Sequence, residues 1–483
     1  MLTVAIIGAG VGGLCMAIRL RMAGVTSFTV FEKAGDIGGT WRDNTYPGAG
    51  CDVPSHLYSY SFEKYASWTR RFPEQPEILA YLHRCADKYR IWPHIRLNAE
   101  VTSARYVDGR WRITTADGGE ADFDVLVTGV GQLSRPRLPD IPGRADFAGT
   151  AFHSARWDHG HDLTGREVAV IGNGSSAAQF IPRIAPLVAR LDVYQRTPNW
   201  VIPKPDEGFG PAARLAFHHL PFLQRAYRGL IHRRLETLFL PALRRDGWTA
   251  DRLRAMALGH LARQVPDPVL RAKLTPGYRI GCKRIVVDNA FYPALTRPNV
   301  AVVTDPIRRI TAKGVETADG TLRQADTIIY ATGFHATSFL APIEITGRDG
   351  RSLAERWRDG AEAYLGLAVP GFPNLFLLYG PNTNLGHNSI ILMIEAQVRY
   401  ILQCLRLISL RGPIEVRQAA LAAWRRRLEQ AMGDMIWQDG CQSWYQTESG
   451  RITTNWPGST TLYRRLTRAP RPSAYTSLPR PRR

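Results

Sequence analysis

The chain has 483 residues, of which 45% are hydrophobic, so it is long enough for two or three domains with substantial cores. Its 62 lysine and arginine residues exceed its 42 acidic residues, which gives a net charge of +20. The basic residues are spread along the chain without a recognisable nucleic-acid-binding module. This pattern argues against a nucleic-acid partner and favours a solvated surface that attracts phosphorylated cofactors or other acidic groups.

A strand, a glycine turn and a helix are the first elements that the sequence predicts. The apolar run from Thr3 to Ile7 predicts a buried parallel strand, and residues 14–23 predict the helix. Between them, Gly8 supplies a tight bend, Gly10 lets the backbone approach a pyrophosphate, and Gly13 allows the helix to pack closely on the strand. We therefore expect a dinucleotide at the helix N-terminus; the alternative is a turn whose glycines serve packing alone.

The next predicted strand, Phe28 to Phe31, ends at Glu32, about 20 residues after Gly13. A carboxylate at this place accepts hydrogen bonds from ribose hydroxyls. The first unit is therefore predicted to bind an adenosine whose ribose carries no phosphate.

The same layout recurs later in the chain. Glu167 to Ile171 predicts a strand, and the helix is predicted from residue 177 onward. The second glycine turn lies between them and contains Gly172, Gly174, Ser175 and Ser176. A second dinucleotide is therefore expected.

Arg196 takes the place in the second unit that an acid has in the first. The predicted strand from Leu191 to Gln195 ends at Arg196 and Thr197. A guanidinium cannot accept a ribose hydroxyl proton, but it forms a fork with a 2′-phosphate. The second unit therefore favours NADP, and the alternative for Arg196 is a solvated surface arginine.

These elements predict an α/β protein with two dinucleotide-binding, Rossmann-like domains, an arrangement that suits electron transfer between two cofactors. We expect a discontinuous FAD-binding domain at residues 1–144 and 331–483 and an NADP-binding domain at residues 145–330. Residues from about 205 to 276 have Arg, Leu and Ala at helical spacing, which predicts a helical insertion in the second domain. The Pro- and Arg-rich tail, residues 469–483, is expected to be disordered.

None of the six cysteines stands in a CxxC pair, which disfavours a disulfide reductase and fits a reducing compartment. The first strand begins at the third residue and leaves no room for a signal peptide. No apolar run reaches the ~18 residues needed to span a bilayer. We therefore expect a cytoplasmic protein without a membrane span, and the sequence leaves its oligomeric state open.

Two motifs resemble signatures of one enzyme family. Residues 147–158 (FAGTAFHSARWD) match the pattern FxGxxxHxxxW(P/D), and residues 38–52 (GGTWRDNTYPGAGCD) match GGxWxxxxYPGxxxD. Both patterns are similar to those of type I Baeyer–Villiger monooxygenases, and the resemblance extends to about residue 466. The later GPNTN and SWY runs are most similar to the hydroxyacetophenone monooxygenase branch. In this family pattern, His153 and Trp157 are expected to support the connection between the domains.

The resemblance implies an FAD- and NADPH-dependent monooxygenase that inserts one oxygen atom of O₂ next to a ketone carbonyl, through a C4a-peroxyflavin, to give an ester or lactone. Arg284, in the run GCKR, matches the family's catalytic arginine, whose fixed cation stabilises an anionic oxygen. Asp52 is implied to hold that arginine by a charge-assisted pair. The implied cofactor-binding residues are Gly8, Gly10, Gly13, Glu32, Lys33, Gly39, Thr40, Trp41 and Asp52 in the first unit, and Gly172, Gly174, Ser175, Ser176, Arg196, Thr197, Lys283 and Trp444 for the second cofactor.

Lys283, with Arg196 and Thr197, resembles a clamp on the 2′-phosphate of NADP. Trp444 resembles a tryptophan on a loop that covers the nicotinamide, and the alternative is a core aromatic residue. Two other functions stay open: a flavin monooxygenase that oxygenates sulfides or amines, and a flavoprotein that binds NADPH as a redox sensor or carrier without oxygenating a substrate. The expected partners are a small-molecule ketone, sulfide or amine and O₂.

Overall fold

The computed structural model describes residues 2–441 and 443–479. Its first sheet has five parallel strands in the order Leu375–Leu377, Val125–Thr128, Val4–Ile7, Phe28–Phe31 and Ile95–Arg96. Ile7 pairs with both Phe31 and Thr128. The carboxyl ends of the central strands therefore meet at one edge of the sheet, where the first glycine turn and Glu32 lie.

The second sheet also has five parallel strands, in the order Val300–Val303, Arg190–Tyr194, Glu167–Ile171, Thr327–Tyr330 and Thr150–His153. Ile171 pairs with Tyr194 and with Tyr330. The second glycine turn consequently lies at the carboxyl edge of its own sheet. Two parallel sheets of buried apolar strands confirm the predicted α/β class.

Two predicted strands are found with the same bounds, Phe28–Phe31 and Glu167–Ile171, whereas the strands predicted at Thr3–Ile7 and Leu191–Gln195 are found at Val4–Ile7 and Arg190–Tyr194. The first helix runs over Val11–Met22 and so begins three residues before its predicted start. The helix of the second unit begins at Ser175 and ends at Ile184. Each helix begins within its glycine motif, directly after the motif's second glycine, Gly10 or Gly174.

The chain returns to the first sheet after the second sheet is complete, since Leu375–Leu377 pairs with Val125–Thr128. Thr150–His153, in contrast, pairs within the second sheet. The domain boundaries at residues 144 and 330 remain our prediction. The smaller sheets contain Glu344–Thr346, Val101–Val107, Arg110–Thr115 and Glu120–Phe123; Ile307–Thr311, Gly314–Thr317 and Leu322–Gln324; and Val201–Ile202 with Val286–Val287.

Four helices occupy the region of the predicted insertion: Pro211–His219, Pro221–Ala242, Ala250–Gln264 and Pro268–Leu274. We call Pro221–Ala242 the insertion helix. Its inner face packs on the first unit, where Ile231 contacts Leu57 and Leu392 in one apolar cluster. Arg228 Nη1 donates to the carbonyl oxygens of His56, Leu57 and Ser59 at 2.7, 3.2 and 3.0 Å.

The remaining α-helices are Thr40–Asp43, Gln75–Lys88, Phe291–Leu295, Leu353–Arg356, Ile390–Arg411, Gln418–Gly433 and Thr460–Leu466. Ile390–Arg411 has 22 residues and is largely apolar, but it also carries Glu395, Arg399 and Arg406. No helix within residues 2–441 and 443–479 is long and apolar enough to cross a membrane.

The tail segment that the sequence predicts to be disordered contains regular structure at residues 472–477. Tyr475–Ser477 forms a strand that pairs antiparallel with Ile414–Val416. The Tyr475 ring is buried, and Tyr400 Oη donates to its hydroxyl at 3.0 Å. The prediction relied on the Pro- and Arg-rich composition and did not consider Tyr475. Burial of this aromatic ring offsets the entropy that is lost when the strand becomes ordered. Residues 480–483 lie outside the described part of the chain.

Candidate active site

The first glycine turn has the geometry of a phosphate cradle. Gly8 has φ +96°, and a Cβ there would lie 2.8 Å from the carbonyl oxygen of Gly129. A Cβ on Gly13 would lie 1.8 Å from the carbonyl oxygen of Gly8, so the helix packs directly against the turn. Gly10 precedes the helix without a side-chain cap. The first N–H groups of the helix are therefore free of a competing side chain and suit a pyrophosphate.

Glu32 lies beside this turn. Its Oε2 accepts a hydrogen bond from the N–H of Ala9 at 2.8 Å, and its Oε1 accepts one from Arg42 Nη1 at 2.8 Å. The carboxylate is buried and fixed next to the turn, as a ribose-binding acid requires. Lys33 is exposed.

The segment from Gly39 to Trp41 also reaches the first turn. A Cβ on Gly39, whose φ is +55°, would lie 3.1 Å from the Cα of Gly10. Thr40 begins the short helix that follows. The Trp41 ring is buried, and its Nε1 donates to Tyr58 Oη at 3.0 Å. The two backbone segments thus touch, while the Trp41 side chain belongs to the hydrophobic core.

The second glycine turn repeats the first. Gly172 has φ +109°, and a Cβ there would lie 2.4 Å from the carbonyl oxygen of Ala331. Gly174 precedes the helix without a side-chain cap, and a Cβ at Gly174 would meet no described atom within 4 Å. Ser175 and Ser176 are the first two helical residues. This turn therefore offers an open helix N-terminus to a second anion.

Arg196, Thr197 and Lys283 come together near the second turn. Lys283 Nζ donates to Thr197 Oγ1 at 2.7 Å. The pKa of Lys283 is lowered by burial and by the positive charge of Arg196. Within the described residues neither cation lies within 4.0 Å of a carboxylate. Two neighbouring cations without an acidic partner fit the 2′-phosphate of NADP.

Arg284 and Asp52 form an ion pair that joins the two units. Arg284 Nη2 and Nε donate to the same oxygen, Asp52 Oδ2, at 2.5 and 3.1 Å. Asp52 raises the pKa of Arg284 above its ordinary value, against the opposing effect of burial. The two side chains are 30% and 22% exposed, so the cation is held and can still contact a ligand.

Two tyrosines near this pair were not among the predicted site residues. Burial raises the pKa of Tyr445 to about 12, and the neighbouring Arg284 opposes that shift. Burial also raises the pKa of Tyr379, again opposed by Arg284. Tyr379 Oη donates to Asn384 Oδ1 at 2.6 Å. Tyr445 belongs to the SWY run that drew attention to Trp444, and the only sequence indication for Tyr379 is its place directly before GPNTN.

Trp444 is half-buried and its ring lies 4.5 Å from that of Tyr445. Both rings belong to an apolar cluster that contains Cys282 and Cys441. These two cysteines form a disulfide that joins the segment before Arg284 to the segment before Trp444. No sequence pattern predicts this pairing, because the two residues are 159 positions apart. Both sulfur-bearing residues are buried, which does not suit the exchange with a substrate thiol that a disulfide reductase carries out.

The motif residues His153 and Trp157 make packing contacts. His153 is buried, its Nδ1 accepts a hydrogen bond from the N–H of Ala155 at 3.0 Å, and burial lowers its pKa to about 4. The Trp157 ring lies 5.2 Å from that of Phe180, on the helix after the second turn. His153 ends the edge strand of the second sheet, and its imidazole is neutral near pH 7.

Two glycine turns of this kind, one for each sheet, define a protein that binds two dinucleotides. The family model described as pyridine nucleotide-disulphide oxidoreductase matches residues 5–208, which contain both turns. A Baeyer-Villiger monooxygenase of Pseudomonas aeruginosa is 45% identical over 483 residues, covering 98% of this chain and 90% of that protein. The chain belongs to the Baeyer–Villiger monooxygenase family.

Solved structures agree with this assignment. Oxidized steroid monooxygenase bound to NADP superposes with a TM-score of 0.87 at 32% identity, over 99% of each chain. The complex of OTEMO with FAD and NADP superposes with a TM-score of 0.85 at 29% identity, over 97% of each chain. The first of these neighbours is described with one of the two dinucleotides, and the second with both.

Proposed function

We propose that this protein uses NADPH, FAD and O₂ to convert a ketone into an ester or lactone. One oxygen atom of O₂ enters between the carbonyl carbon and its neighbour, and the other leaves as water while NADPH is oxidised to NADP⁺. The observation that carries the proposal is the Arg284–Asp52 pair, which sets a permanent cation between two dinucleotide sites. Close relatives named Baeyer-Villiger monooxygenase support it.

The donor sets fit the two cofactors differently. The uncapped helix after Gly10 and the fixed carboxylate of Glu32 suit the pyrophosphate and free ribose of FAD. The uncapped helix after Gly174, with Arg196 and Lys283 nearby, suits NADP. Bound FAD supplies the redox chemistry that activates O₂.

The proposed role of Arg284 is to stabilise the oxygen atom that carries negative charge during the reaction. Its guanidinium cannot give up a proton, and Asp52 strengthens that property by raising its pKa. A cation fixed in a partly dry site stabilises an oxyanion without reorganising. Asp52 holds only Nε and Nη2, and it uses a single oxygen for both, so Nη1 stays outside this pair. Arg284 is therefore the proposed catalytic residue and Asp52 its positioning residue.

The same site also suits transfer of oxygen to a sulfide or an amine, and the substrate class is the finer part of the proposal. The named relatives favour the ketone. Incubating the enzyme with an aryl ketone and an aryl sulfide in one vessel separates the two functions. Oxygen-18 from labelled O₂ should appear mainly in the ester, whereas label confined to the sulfoxide would replace the ketone proposal. Absence of label from both products would favour the remaining alternative, a flavoprotein that acts as a redox sensor or carrier.

Arg284→Ala tests the central observation. The variant should still oxidise NADPH, because hydride transfer does not require this cation, but it should form no ester. Arg308→Ala is a matched control, since Arg308 pairs with Glu316 on a separate sheet. Normal ester yield from Arg284→Ala would remove the arginine from the mechanism.

A further inference from the structure

The outward side of the insertion helix carries exposed apolar side chains next to unpaired arginines. Phe222 is 60% exposed and Leu230 is 63% exposed, and Ala226 between them is also exposed. At ~100° per residue, these three residues span an arc of about 80° on the helix surface. The three apolar side chains thus share one water-facing side of the helix and form a joint surface.

Three arginines lie in or beside this arc. Arg225 and Arg234 lie about 60° and 40° beyond its two edges, and Arg233 lies within it. All three are exposed, and in the described parts of the chain none lies within 4.0 Å of a carboxylate. Lys64 adds a further positive charge near Arg225. The pKa of Lys64 is lowered, mainly by burial and to a smaller extent by the charge of Arg225. We call Phe222, Arg225, Ala226, Leu230, Arg233 and Arg234 the outer face.

The insertion helix contributes little negative charge to the outer face. Residues 211–235 contain no acidic residue. The one acid of the insertion helix, Glu236, accepts hydrogen bonds from Asn388 Nδ2 and Thr460 Oγ1 at 3.0 and 2.8 Å. These contacts fix it against the body of the protein. The outer face therefore has an unopposed positive charge.

The inner side of the same helix is firmly held, so the outer face is presented on a rigid support. Ile231 is buried in an apolar cluster, and Arg228 donates to three backbone carbonyls of residues 56–59.

Other parts of the insertion add exposed apolar side chains: Leu215, Leu220, Leu238, Trp248 and Met256.

We propose that the outer face binds the surface of an anionic lipid membrane. Phe222 and Leu230 enter the boundary between headgroups and acyl chains, while the arginines at the edges extend to the lipid phosphates. Charge selects this occupant over a second copy of the chain, because two such faces in contact would bring their arginines together on two molecules of net charge +20 each. The helix lies on the membrane and does not cross it, in agreement with its arginine content.

Co-sedimentation of the full-length protein with vesicles tests the proposal. Vesicles with about 30 mol% phosphatidylserine should bind the protein at least ~10-fold better than phosphatidylcholine alone, and about 500 mM salt should remove most of that difference. The double variant Phe222→Ser/Leu230→Ser and the triple variant Arg225→Gln/Arg233→Gln/Arg234→Gln should each weaken binding at least ~10-fold.

Matched controls keep the result independent of folding and of total charge. Leu187→Ser removes an exposed apolar side chain elsewhere, and Arg406→Gln/Arg411→Gln/Arg426→Gln removes the same charge from exposed positions on other helices. Both should bind as the unaltered protein does, and all variants should retain its circular dichroism spectrum. The proposal is overturned if the unaltered protein does not bind anionic vesicles. It is also overturned if both outer-face variants bind these vesicles as well as the unaltered protein does. A dimer in sedimentation velocity that both outer-face variants abolish assigns the face to a second copy instead.

Discussion

Lys283 and Arg284 are neighbours in the chain but contact different halves of the molecule. Lys283 Nζ donates to Thr197 at the second nucleotide unit, whereas Arg284 donates to Asp52 of the first. One short segment after Cys282 therefore links the expected NADP phosphate clamp to the expected flavin site. The position of Arg284 therefore depends on contacts with both units.

Replacing Asp52 by Asn should leave Arg284 charged but poorly held. The loss of a charge-assisted hydrogen bond costs about 1.5–3 kcal/mol, so ester formation should fall roughly 10- to 100-fold. NADPH oxidation should continue, with more hydrogen peroxide released for each NADPH consumed. Parallel assays of NADPH, ester and peroxide measure this uncoupling. Asp122→Asn, in an exposed pair with Arg112, is the control, and full coupling in Asp52→Asn would contradict the positioning role.

Arg196→Ala should reduce the preference for NADPH over NADH. The lost contact with a 2′-phosphate is a charge-assisted bond of about 1.5–3 kcal/mol, or roughly 10- to 100-fold in the ratio of kcat/KM values. Lys283 stays in place and keeps part of the preference, so Arg196→Ala/Lys283→Ala should lower the ratio further. Steady-state kinetics with both nucleotides give the ratios. An unchanged ratio in both variants would place the 2′-phosphate elsewhere.

Much of the cofactor framework is predictable from sequence because it depends on local backbone geometry. The backbone at Gly8 and Gly172 has positive φ, which favours glycine, and the apolar strand before each turn makes the turn recognisable in the sequence. The Asp52–Arg284 pair is different: its members are far apart in the chain, and only the family motifs connected them. Tyr445 and Tyr379 lie in or next to family motifs, but their approach to Arg284 depends on tertiary packing and was not predicted. The tail strand was missed because composition outweighed a single buried tyrosine, Tyr475.

Acid should destabilise the protein through two buried histidines. Burial lowers the pKa of His56 and of His153 to about 4, from an ordinary value near 6.5. The unfolded chain therefore binds more protons than the folded one between those values, and stability falls as pH decreases from about 6.5 to 4. At pH 5 each histidine should cost about 2 kcal/mol relative to pH 7.

Urea unfolding at pH 7 and pH 5 measures this difference. His153→Asn removes one titrating group, so the loss of stability between the two pH values should be smaller in that variant than in the unaltered protein. His218→Asn is a control at an exposed position. The same pH dependence in all three proteins would show that His153 does not contribute.

The disulfide between Cys282 and Cys441 should stabilise the fold and restrain the segment that carries Trp444 and Tyr445. Closing a loop of this length limits the unfolded chain, so Cys441→Ser should lower the free energy of unfolding by about 2–5 kcal/mol. Cys404→Ser is a control at a buried free cysteine. Peptide mapping without reductant should recover the two peptides as one linked species. Since both partners are buried, mild reductant should open the bond slowly, and the reduced protein should then unfold like Cys441→Ser. The disulfide leaves four free thiols in the protein without reductant. Titration of six free thiols in the folded, purified protein would refute the link.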